Sequence, residues 1–177
     1  MYSKEAPVIT EADVKTLCEE LRHEFPGFHV VRRFGTGRCG PMLGAWFFVS
    51  SAWGSYSPYN QYVILRHEAV HMRQQQRLGL GNVWLGMLPF LFAYLLLPLP
   101  VGLAWCRYQW EREAFIEQMQ VEAEELGANG LLARREHYVR QFTGKGAYWW
   151  CWPFRRSVER WVDSAIALAV HLVEKKT

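Results

Sequence analysis

A chain of 177 residues, half of them hydrophobic and 15% aromatic, carries enough apolar material to bury a core. Its formal net charge of +3 comes with no basic stripe and no RNA-binding motif, so no nucleic-acid partner is expected. Cys18, Cys39, Cys106 and Cys151 are scattered without a CxxC pair, which points to free thiols in a reducing compartment rather than a disulfide framework. Met1 to Glu5 carries charge where a signal peptide needs an apolar run, so a cytoplasmic location is expected. There is no repeat or low-complexity linker, and residues 1–177 read as a single domain.

In chain order, Thr10-Glu11-Ala12-Asp13 reads as a helix-starting box. Val14, Leu17, Cys18, Leu21 and Phe25 then recur at helical spacing until Pro26-Gly27 stops them. Residues 28–34 and 43–50 read as two strands of a small antiparallel sheet, separated by a loop from Gly35 to Gly40. The second strand is a candidate edge for main-chain pairing with an extended peptide, with an ordinary core hairpin as the plainer reading.

Ser57-Pro58 is a second helix start, and no breaker intervenes before Gly79 and Gly81. This helix contains His67-Glu68-Ala69-Val70-His71, an HExxH motif. Positions i and i+4 share a helix face, so both imidazoles can address one zinc ion while Glu68 stands close enough to handle a water proton. The plain alternative is a buried helix whose histidines only satisfy hydrogen bonds. A catalytic zinc takes three protein ligands and keeps a fourth position for water, so a third donor is needed.

From Leu78 to Cys106 no residue is charged. Hydropathy alone would make this stretch a membrane span. A single crossing, however, would place His71 and any ligand beyond residue 106 on opposite sides of a hydrocarbon core about 30 Å thick. Pro98-Leu99-Pro100 offers the alternative: an apolar helix broken by Pro89 runs to Leu97, reverses, and a second helix returns from about Val101. The hairpin 78–106 is either membrane-associated, with Arg73 and Arg77 on one flank and Arg107 and Arg112 on the other, or buried in protein.

The returning helix carries Glu111 and Glu113 in Trp110-Glu111-Arg112-Glu113-Ala114. Two residues apart on a helix is about 200°, so only one of them can face a metal. The combination of HExxH with a downstream helical Glu resembles the gluzincin zinc metallopeptidases. Several branches carry the ligand as Glu-x-x-Ala, which maps onto Glu111 to Ala114, although Phe115 stands where those branches have an acid or amide. The thermolysin-like pattern maps onto Glu113 and Glu117 instead, with Glu in place of Asp. The resemblance covers these two short motifs only and implies Glu111 as third ligand, with Glu113 as the alternative. Cys39 and Cys106 are further candidates, but the surroundings of Cys39 do not reproduce the deformylase motif.

Beyond Gly127, Asn129-Gly130 reads as a turn, and residues 131–142 resume a helix carrying His137 and Tyr138. These two and Tyr148 are candidate oxyanion stabilisers, a role that the resemblance implies for some His or Tyr outside the zinc helices. The run Trp149-Trp150-Cys151-Trp152 reads as packing or an interface anchor. Ser157 reads as the cap of a last helix with an apolar stripe from Val158 to Leu172.

The sequence therefore points to an α+β, mainly α zinc metallopeptidase. His67, His71 and Glu111 would bind Zn2+, Glu68 would act as general base, and the partner would be a peptide or protein substrate, with a membrane surface as a second candidate partner. The alternatives are a membrane-associated binding or scaffold protein with a structural metal, and a zinc hydrolase of non-peptide amides.

Overall fold

In the computed structural model, residues 8–32, 42–95, 103–144 and 154–175 are described. The chain is mainly helical, with a small sheet upstream of the HExxH helix, and it forms two compact units.

The first unit spans Val8–Phe92. Helix α1 (Glu11–Glu24) starts as its sequence requires. The Thr10 hydroxyl accepts from the Asp13 amide while the Asp13 carboxylate accepts from the Thr10 amide, which satisfies two donors that a helix start would leave bare. Strands β1 (His29–Arg32), β2 (Met42–Leu43) and β3 (Trp46–Val49) then form a sheet in the order β1-β3-β2.

The expected antiparallel sheet is thus a mixed one. β1 and β3 pair in parallel, His29 opposite Trp46 through Arg32 opposite Val49, and only the short β2 runs antiparallel to β3. The cause is Gly44: its φ of +58° lets the chain fold back inside the stretch 43–50, so one expected strand is two. β3 consequently lies between its neighbours and is no edge for a peptide to extend. The Gly35 to Gly40 loop lies outside the described residues.

The second face of β3 closes the core of this unit. Phe47 and Val49 are buried with Leu17 and Leu21 of α1 and with Phe25, which caps its C-terminus, and with Leu65, Ala69 and Met72 of α2 (Pro58–Leu78). α2 begins with Pro58 at its first position, which needs no N–H there, and with the Ser57 hydroxyl accepting from the Asn60 amide. It ends where the Gly79 amide donates to the Gln75 carbonyl. Asn82 then caps α3 (Val83–Leu95) by accepting from the amides of Trp84 and Leu85. α3 runs through Pro89 without ending there. Its thirteen residues span about 20 Å, short of a hydrocarbon core of about 30 Å, and no described helix is long and apolar enough to cross a membrane.

The second unit runs from Ala93 onward. The reversal expected at Pro98-Leu99-Pro100 lies outside the described residues, and helix α4 is described from Leu103 to Ala133. It breaks at Gly127, whose φ of 67° and ψ of 177° suit glycine almost exclusively. Asn129-Gly130, expected as a turn, is helical; the break falls at Gly127 because that glycine takes the conformation the chain needs. α5 (Arg135–Thr143) and α6 (Arg155–Glu174) pack with α4 around Phe115, Met119, Tyr138, Phe142, Val158, Trp161 and Val162. Ser157 sits inside the first turn of α6 rather than at its cap, a position held by Phe154.

Candidate metal centre

His67 and His71 occupy one face of α2, one turn apart, and both are buried. Their rings lie 5.1 Å apart, edge to face at 75°. The helix buries them because Leu65, Ala69 and Met72 on the neighbouring face enter the core with the sheet. Two further residues fix this segment. Gln74 Oε1 lies 2.9 Å from His71 Nδ1, so an Nδ1 proton has an acceptor and Nε2 keeps the lone pair a metal needs. Gln75, fully buried, accepts from the Gly44 amide at 3.0 Å and donates to the Met42 carbonyl at 3.4 Å, which ties α2 to the hairpin of β2 and β3. Phe90 of α3 packs against the His71 ring at 5.8 Å. Glu68 is half-buried on the same helix.

On α4 the two competing glutamates differ sharply in environment. Glu111 is fully buried, whereas Glu113 is exposed. The Tyr94 hydroxyl donates to Glu111 Oε1, and the Arg107 guanidinium lies 4.7 Å from the Tyr94 ring centre. The small Ala114, also fully buried, follows on the same helix. A carboxylate removed from water this completely is costly unless hydrogen bonds or a cation compensate it.

His67, His71 and Glu111 together form a buried group that can hold a metal ion, each offering one ligand atom within 4.8 Å of the others. The donors, two imidazoles and one carboxylate, are those of zinc sites that keep a coordination position open. Cys106 is half-buried with a free thiol and is outside this group, and Cys39 lies outside the described residues.

The candidate oxyanion stabilisers fare differently. His137 is exposed on α5, with Nε2 3.2 Å from the Gln141 amide nitrogen. Tyr138 is fully buried among Phe115 and Phe142, and its hydroxyl accepts from Gln118. Tyr148 and the tryptophan run after it lie outside the described residues.

Gln74 and Tyr94 were not singled out by motif. Gln74 stands three residues after His71, a spacing at which helical side chains meet. Tyr94 is the one hydroxyl in the apolar run from Val83 to Leu97. No protein-family profile, curated protein or solved structure matches the chain.

Proposed function

We propose that the protein is a zinc-dependent peptidase in which His67, His71 and Glu111 hold the ion and Glu68 is the general base. One observation supports this reading: two buried imidazoles one turn apart on α2 and a buried carboxylate each offer a ligand atom within 4.8 Å of the others. Two histidines and a glutamate are the donor set of zinc peptidase sites in which water takes the fourth position. When bound, zinc supplies a Lewis acid that lowers the pKa of water and polarises a carbonyl.

The chain's own residues supply the rest of the reaction. Glu68, adjacent to His67 and half-buried, accepts the proton as water attacks the peptide carbonyl and delivers it to the departing amine. Gln74 holds the His71 tautomer, and Tyr94 holds one oxygen of Glu111.

Glu68→Gln in the full-length protein tests this reading. The variant should retain zinc at wild-type stoichiometry and lose peptide-library hydrolysis by about 10²- to 10⁴-fold. Undiminished cleavage would remove Glu68 from the mechanism, and absence of zinc from folded, reconstituted wild type would remove the metal.

A further inference from the structure

We propose that Arg107 is a positioning residue for the metal centre: it clamps the Tyr94 ring, and through the Tyr94 hydroxyl it fixes the carboxylate of Glu111. This inference rests on the metal reading and extends it to a residue outside the ligand group.

Two side chains of α4 grip one side chain of α3. Arg107 and Glu111 stand four residues apart on α4, so they share a face one turn apart. The Arg107 guanidinium carbon lies over the face of the Tyr94 ring, 4.7 Å from its centre, and the Tyr94 hydroxyl donates to Glu111 Oε1. One turn of α4 thus holds the ring, and the next holds the hydroxyl at its far end. All three residues belong to the second unit.

Tyr94 needs such a clamp. It stands in the last turn of α3, and helix ends fray. Its hydroxyl swings with the first two side-chain torsions, so the bond to Oε1 is only as well aimed as the ring is fixed. A guanidinium stacked on an aromatic face fixes that ring, because the flat cation is attracted to the electron-rich face. Stacking uses the plane of the guanidinium, so this role stands whatever the N–H groups at its rim bind. A lysine would supply the charge without the plane.

The consequence falls on Glu111. Its carboxylate is fully buried, and a hydrogen bond to one oxygen sets the rotation of the carboxyl plane relative to His67 and His71, whose ligand atoms lie within 4.8 Å of its own.

Zinc competition with a chromophoric chelator, run as a double-mutant cycle on the full-length protein, tests this assignment. Arg107→Met should weaken zinc binding about three- to tenfold in the wild-type background. In the Tyr94→Phe background, where the ring remains but no hydroxyl reaches Glu111, the same change should cost less than about twofold. A purely structural stacking role would show in both backgrounds, since phenylalanine keeps the ring. Visible spectra of cobalt-loaded protein should shift in the same sense for Arg107→Met and Tyr94→Phe, because both disturb one carboxylate. Arg107→Gln takes the place of the methionine variant if circular dichroism shows the latter misfolded. An Arg107 variant with wild-type affinity would overturn the assignment, as would one that loses as much in the Tyr94→Phe background as in wild type. Either outcome leaves the zinc reading intact, whereas folded wild type that binds no zinc removes that reading and this inference together.

Discussion

The Tyr94 hydroxyl at the end of α3 donates to the carboxylate of Glu111 on α4, a hydrogen bond across seventeen residues of sequence. Groups that orient a metal ligand from behind set its geometry and basicity, and their loss typically costs 10- to 100-fold in metal affinity. Tyr94→Phe removes the hydroxyl and keeps the ring under Arg107. Zinc affinity, read by competition with a chromophoric chelator, should fall by about that factor while the circular dichroism spectrum is unchanged. Equal affinity in the variant would show that Glu111 needs no such support.

Burial separates the two glutamates that spacing alone leaves in competition. Glu111→Ala should abolish stoichiometric zinc, and Glu113→Ala, at an exposed position, should leave both stoichiometry and affinity unaltered. Glu111→Gln, which keeps the side-chain volume, guards against a folding defect in the alanine variant. Zinc retained by both Glu111 variants and lost from Glu113→Ala would transfer the ligand role.

The parts of this arrangement that are local were legible in the sequence. Thr10 with Asp13 and Ser57 with Pro58 start their helices through bonds made within one turn, and the HExxH spacing follows from the helix repeat. The sheet was harder. Whether β1 meets β3 in parallel depends on Gly44 splitting one apolar stretch into two strands, and hydrophobic alternation does not reveal that. Likewise Gln75 reads as one more polar residue in a Gln-rich run, yet it is buried because it binds the backbone at Met42 and Gly44, more than thirty residues away.

Gly86 of α3 faces that same segment with no room to spare. A Cβ built there would lie 1.6 Å from the Gln75 carbonyl oxygen and 2.8 Å from the Gly79 nitrogen, both backbone atoms at the end of α2. Relief requires moving one helix against the other, so Gly86→Ala should cost about 3 kcal/mol or more in chemical denaturation. Gly54→Ala, where nothing lies within 4 Å of an added Cβ, should stay within about 0.5 kcal/mol of wild type. Because the clash falls on Gln75, the Gly86 variant should also weaken zinc binding. Equal stability of the two variants would show that α3 does not seat against α2 in this way.

Acid should weaken the second unit through three surface ion pairs that share two carboxylates. Hydrogen bonding to Arg135 holds the Asp163 carboxyl below its ordinary value of 3.8, and bonds from Arg140 and then Arg155 do the same for Glu136, ordinarily 4.5. For a carboxylate whose folded pKa is depressed, the stabilisation is complete above the unfolded value and is lost as pH falls through the folded one. In chelator-treated protein, where metal release contributes nothing, these pairs should leave the thermal midpoint unchanged between pH 6 and 8 and lower it below about pH 4.5. These pairs are solvent-exposed, so the Asp163→Asn variant should lose only about 1–2 °C at pH 7. Its midpoint should approach that of wild type as the pH falls below the ordinary carboxylate value of 3.8, because the wild-type carboxylate takes up its proton in that range. A deficit that does not shrink as the pH falls there would show that Asp163 acts through something other than its charge.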